Sequence, residues 1–155
     1  MNKILLVTLT FLTLNVFSQK LTERQIENTM NEYLKILKDE GYSPSFDESG
    51  ELDFKYEGTT YAIERPEYSD DFALYTGLKN DAGCTFGTLS TVNAACGGTR
   101  TSQIWLSKSC KTVYIQYTSF IESSTNFKLL FKEALRSVKY GKDLVKEKYT
   151  EYNPK

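Results

Sequence analysis

The chain has 155 residues and not one histidine. Histidine is the commonest general base near neutral pH and the commonest metal ligand. Its absence removes Ser-His and Cys-His catalysis and most zinc chemistry. Nor is there an excess of positive charge: 19 Lys and Arg stand against 20 Asp and Glu, without a basic cluster. The electrostatic term that dominates nucleic-acid binding is missing, which excludes nucleic acid as the main partner. No apolar run reaches the roughly 20 residues that a bilayer span needs. Cysteine is scarce, at three, and none of the three has the Cys-x-x-Cys spacing that lowers a thiol pKa.

What is present begins at the N-terminus. Lys3 precedes an apolar run from Ile4 to Leu14, diluted by Thr8, Thr10 and Thr13, and Ser18 supplies a small residue at its exit. One positive charge, a short apolar stretch and a small residue make the three-part export signal. The expectation is a signal peptide over residues 1–18, cut between Ser18 and Gln19, and one domain over residues 19–155. The mature protein would then sit in a periplasm or be secreted. It would have no stable membrane insertion and no lipid anchor, because no cysteine lies in the apolar run or just after it.

Thr22 and Gln25 stand at capping-box spacing, and Ile26, Met30, Tyr33, Leu34 and Leu37 recur at helical period before Gly41, predicting a helix from Glu23 to Glu40. Asp47-Glu48-Ser49-Gly50 is turn chemistry. Leu52, Phe54 and Tyr56 then alternate with charged residues, Glu57-Gly58 is a tight turn, and Thr59 to Arg65 and Phe72 to Leu78 complete a three-stranded meander. Phe86, Leu89, Val92 and Cys96 suggest a marginal helix within 84–96, although Thr, Ser and Gly are mediocre helix formers. Gln103 to Leu106 and Thr112 to Phe120 read as a hairpin. Ser123 or Ser124 would cap a long final helix carrying Phe127, Leu130, Phe131, Ala134, Leu135 and Val138, weakened at Gly141 but continued by Leu144, Val145 and Tyr149. The expected fold is α+β: an antiparallel sheet with helices packed on one face.

The wording of one stretch adds to this. Gly41-Tyr42-Ser43-Pro44, the run from Asp47 to Gly58, and Thr60-Tyr61 resemble the bacterial family with a type III secretion chaperone-like fold, also labelled sensory transduction regulators. Ser123 to Leu135, with Asn126-Phe127, is similar to that family's final helix. The resemblance covers most of residues 22 to 140. It implies the same fold and a tendency to dimerise or to hold a partner chain. It implies no catalytic residues. The Cys-, Thr- and Gly-rich segment from 84 to 96 departs from the family's Ala/Glu-rich helix.

Three constellations bear on chemistry. Cys84 and Cys96 at opposite ends of one helix would be separated by about 18 Å, too far to bridge. If that helix runs antiparallel to the next strand, the hairpin tip at Cys110 returns to Cys84. A Cys84–Cys110 disulfide would close a loop of about 25 residues, worth roughly 3 kcal/mol, and leave Cys96 a buried free thiol beside Leu89 and Val92. The carboxylates Asp47, Glu48, Glu51 and Asp53 fail the calcium-loop spacing and read as a solvated turn, as do Glu67, Asp70 and Asp71. Finally, 11 Tyr, 9 Phe and one Trp form an unusual aromatic load. Tyr56, Tyr61, Tyr75, Trp105, Tyr114 and Tyr117 are the candidate binding surface.

These readings point to an exported, non-enzymatic binding domain, with no catalytic, cofactor or metal residues, that holds a protein partner or forms a homodimer. The alternative is a small-ligand carrier or enzyme with a pocket between sheet and helices. Mass spectrometry of the unreduced protein is expected to recover a peptide pair linked through Cys84 and Cys110; a linked peptide containing Cys96 would contradict the assignment.

Overall fold

A computed structural model describes residues 19–121 and 126–153. The expected leader with Ser18, and the candidate caps Ser123 and Ser124, lie outside the described residues. Thr22 opens helix α1 (Glu23–Asp39) with a reciprocal capping box: its hydroxyl accepts from the Gln25 N–H, and Gln25 Oε1 accepts from the Thr22 N–H at 2.9 Å. Ile26, Met30, Tyr33 and Leu37 form its buried face. Four strands follow: β1 (Ser45–Phe46), β2 (Leu52–Tyr56), β3 (Thr59–Ile63) and β4 (Asp71–Lys79). Glu57 and Gly58 both have positive φ, 47° and 72°, the geometry of the two-residue turn that suits the right-handed twist of a hairpin. Strand β1 was not foreseen, because two residues carry no period to read.

Helix α2 (Phe86–Gly98), the hairpin β5 (Ser102–Leu106) and β6 (Thr112–Phe120), and helix α3 (Phe127–Tyr152) complete the chain. The sheet is antiparallel throughout, in the order β1-β2-β3-β4-β6-β5. All helices pack on one face. Leu52, Phe54, Tyr61, Ile63, Phe72, Leu74, Val113, Ile115 and Tyr117 point into that layer and share one core with α1 and α3. Its centre is aromatic: the Tyr33 and Phe127 rings stack with centroids 3.9 Å apart, and Phe72 meets both edge-on. Phe131 continues the cluster to Phe54 and Tyr42. Truncating one such ring to alanine costs about 3–5 kcal/mol in a typical core. Burial also pushes the Tyr33 hydroxyl up to about 12.

The outcome at α2 differs from the sequence reading in orientation. The helix forms, but it buries Thr88, Thr91 and Ala95 and turns Phe86 and Leu89 to solvent, at 85% and 53% exposure. Cys96, expected to be buried, is exposed. The reason is the closeness of α2 to α3. A Cβ on Gly87 would sit 2.8 Å from the Tyr152 carbonyl oxygen, and one on Gly98 would sit 2.5 Å from Leu144 Cδ2. Small side chains fill this narrow seam, so the bulky ones take the outside. The thiol of Cys96 instead donates to the Ile104 carbonyl at 2.9 Å, and Thr99 Oγ1 donates to the Ser102 carbonyl at 2.8 Å. Both acceptors belong to the outermost strand.

Cys84 and Cys110 are joined, with Cα atoms 5.2 Å apart. The bond ties the start of α2 to the β5–β6 turn, the antiparallel arrangement on which the pairing was argued. Beside it the buried Asn80 amide donates to the carbonyls of Cys110 and Gly83, at 2.5 and 3.0 Å.

Helix α3 starts at Phe127 with Asn126 in the cap position, making no side-chain capping bond. It continues unbroken through Gly141. That glycine lets the helix lie against the sheet: a Cβ there would come within 2.7 Å of Ile115 Cγ2 and 3.6 Å of Ser102 Cβ. Ile115 is fully buried and stiff at χ1, so it cannot yield. Gly141→Ala is expected to lose about 1–3 kcal/mol by urea unfolding, although alanine is the better helix former. Equal or higher stability would refute this packing.

Candidate functional site

Helices cover one face of the sheet, so alternate residues of every strand face away from them. The rule divides the aromatic candidates into two sets. Tyr61 and Tyr117 lie in the core, and Tyr56 is half-buried against Tyr42 on the same face. They form no outer surface. Tyr75, Tyr114 and Trp105 occupy the opposite parity on β4, β6 and β5. Trp105 stacks on Tyr114 with centroids 5.6 Å apart and planes 26° from parallel, and Tyr114 meets Tyr75 edge-on at 6.2 Å. The three rings make a ladder across the uncovered face, ending in a Trp105 that is 38% exposed. Gly77 pairs with Tyr114, and a Cβ there would touch the Tyr114 ring at 3.6 Å and crowd Thr112 Cγ2 at 3.1 Å.

Carboxylates stand beside the ladder. Glu51 Oε2 accepts from the Tyr75 hydroxyl at 2.5 Å, and Glu64 Oε2 accepts from Gln116 Nε2 at 2.8 Å. These bonds draw Glu51 and Glu64, from the ends of β2 and β3, across small neighbours such as Ala73 toward the middle of the sheet. The result is an open cleft of about 260 Å³ lined by Glu51, Glu64, Tyr75, Trp105, Tyr114 and Gln116. A second open cleft of about 400 Å³ shares Glu64 and runs on past Asp71, Ala73 and Thr118 to Phe120, which is 79% exposed.

The electrostatics of this face are one-sided. Partial burial raises the Glu64 carboxyl above the usual range, and the neighbouring Glu51 adds to it. Asp53 is raised by burial and then by Asp47. The Tyr75 hydroxyl is raised by burial first and by its bond to Glu51 second. Among the described residues no Lys or Arg forms an ion pair with Glu51, Asp53, Glu64 or Asp71. Arg65 turns away to Glu23, and Lys79 is held by Asp81 at 2.7 Å.

The turn carboxylates behave differently. Asp47 accepts from the Ser49 hydroxyl and from the backbone N–H groups of Ser49 and Glu51, and these bonds hold its carboxyl below the usual range. Among the described residues no group of three or more His, Cys, Asp or Glu side chains could hold a metal ion. No described helix is long and apolar enough to cross a membrane.

Sequence reasoning found the three rings but missed their carboxylate partners. By spacing Glu51 belongs to the Asp47–Gly50 turn, and Glu64 and Gln116 belong to no motif. The parity of the strands carries the signal: Glu64 follows the core residue Ile63, and Gln116 lies between Ile115 and Tyr117.

A raised carboxyl pKa means that the folded protein binds the Glu64 proton more tightly than the unfolded chain does. Ionising Glu64 therefore costs stability as pH rises through its titration. Glu64→Gln is expected to stabilise the fold at neutral pH, by under about 1 kcal/mol as for other like-charge cross-strand neighbours. The gain should vanish at acid pH, where Glu64 is already protonated, and paired urea titrations would show it. A loss of stability at neutral pH would disprove the electrostatic reading. No family model, curated protein or solved structure matches this chain.

Proposed function

We propose that this protein is an exported, non-catalytic binding module that receives a polypeptide partner on the uncovered face of its sheet. One observation carries the reading: an exposed Trp105 and the half-buried Tyr114 and Tyr75 form a ladder on the open face, beside carboxylates that have no basic partner among the described residues. Exposed aromatic rings bordered by polar groups are characteristic of recognition surfaces. The resemblance of residues 41–61 to the secretion chaperone-like family, which implies a tendency to dimerise or to hold a partner chain, points the same way. The Cys84–Cys110 disulfide is compatible with an oxidising compartment and agrees with export through the leader at residues 1–18. The alternative, a small-ligand carrier or enzyme with a chamber between sheet and helices, has less support. Rings of Tyr33, Phe54, Phe72, Phe127 and Phe131 fill the centre of that space. What remains at its margins is two open clefts, of about 310 Å³ between α3 and the ends of β4 and β6 and about 230 Å³ between α1 and β1.

Site-specific photocrosslinking tests the reading. A benzoylphenylalanine placed at Gln103, on the open face, should give a discrete polypeptide adduct in the envelope or medium of producing cells. The adduct should disappear with Trp105→Ala. The same group at Arg136, exposed on α3, should give none. Adducts formed only from Arg136 would move the binding surface to the helices and defeat the proposal.

A further inference from the structure

We propose that the segment bound on this face is an extended peptide bearing arginine. The inference rests on the reading of the open face as the binding surface, and adds the chemistry of what it holds. Glu51 and Glu64 are brought into one cleft, across neighbouring strands, and no Lys or Arg among the described residues lines it. Like charges placed this way destabilise a sheet, and nothing in the packing requires them. The carboxylates are also oriented, by the Tyr75 hydroxyl and the Gln116 amide. Each keeps lone pairs free for a further donor.

The opposite wall of the cleft is aromatic. A planar guanidinium can lie against Trp105 or Tyr114 and donate in parallel to a carboxylate, whereas an ammonium is a point charge with a costly hydration shell. Charge complementarity thus selects a cation, and the rings select arginine over lysine. The nearby basic residues are engaged or distant: Arg65, at the rim of the trough, pairs with Glu23, Lys20 pairs with Glu67, and Lys55 and Lys79 lie opposite Thr60 and Thr112, at the ends of their strands away from Glu51, Glu64 and Asp71. The continuation of the cleft past Asp71 to Phe120 makes a trough, which suits a chain better than a compact ligand. Strand addition at the β5 edge is hindered, because Cys96 and Thr99 already occupy two of its carbonyls, so the trough is the place for an extended segment.

Trp105 is the only tryptophan of the chain, so its fluorescence reports this site alone. The probes are three capped, glycine-spaced peptides carrying two arginines, two lysines or two citrullines, the last a neutral isostere of arginine. The full mature chain is titrated with each. The arginine peptide should change Trp105 emission saturably, the lysine peptide should bind several-fold more weakly, and the citrulline peptide should leave the emission unchanged. Added salt should weaken the arginine complex. The double variant Glu51→Gln, Glu64→Gln keeps the acceptors for Tyr75 and Gln116 and removes the charge. It should lose at least about tenfold in affinity, or about 1.4 kcal/mol, while circular dichroism and urea unfolding show an intact fold.

Equal binding of the arginine and citrulline peptides overturns the proposal, as does no saturable change with any peptide up to about 1 mM. The Gln103 crosslink then separates the two readings. If the Trp105-dependent adduct persists, the open face still binds and only the arginine specificity falls; if it is absent, both fall.

Discussion

Strands β4 and β6 pair over nine residues, from Asp71 opposite Phe120 to Lys79 opposite Thr112, and much of the molecule follows from the register of that ladder. It sends Phe72, Leu74, Thr76, Val113, Ile115 and Tyr117 toward the helices, and Ala73, Tyr75, Gly77, Tyr114 and Gln116 toward solvent. A slip of one residue would exchange the two sets. Both ends are fastened against it. At one end the Ile121 N–H donates to the Asp70 carbonyl at 2.8 Å; at the other the Asn80 N–H donates to the Lys111 carbonyl at 2.8 Å, next to the Cys84–Cys110 bond. The disulfide therefore acts on the candidate site from a distance, by holding the frame in which Tyr75 and Tyr114 share a face.

Those parts of the fold with a clear period were legible in the sequence. Thr22 and Gln25 marked the start of α1, the alternation of Leu52, Phe54 and Tyr56 gave β2, and Thr112 to Phe120 is the observed extent of β6. Helix α2 was legible in existence and not in orientation. Its apolar positions Phe86, Leu89 and Cys96 obey a helical spacing, yet Gly87, Thr91, Ala95 and Gly98 decide the packing. A helix that must lie close to another buries what is small, whatever is greasy, and hydrophobic periodicity is blind to size. Leu144, Val145 and Tyr149 rightly carry α3 past Gly141, but periodicity says nothing of why a glycine stands there: it is the place where the helix meets Ile115.

The candidate site was half legible. Six aromatic residues drew attention through their abundance, but abundance does not distinguish a core ring from a surface one. Strand parity does, since Tyr61 shares its parity with Ile63, whereas Trp105 falls between Ile104 and Leu106. The carboxylates were harder to find. Glu64 and Gln116 are 52 positions apart, and only the meander followed by the α2 excursion brings β3 and β6 to either side of β4. Their juxtaposition is a property of topology, beyond the reach of local spacing. The arrangement also sets stability against recognition, because the same two glutamates that would attract a cation repel one another while the trough is empty.

The borders of the sheet limit what the protein can build. On one side β1 is two residues long and follows Pro44; on the other, a thiol and a hydroxyl from the end of α2 occupy backbone oxygens of β5. Short and blocked borders discourage the lateral growth to which bare strands are prone. A second copy of this chain that met the first face to face about a two-fold axis would use up that surface after two molecules. Growth from edge to edge, the route to fibres, is what these borders oppose.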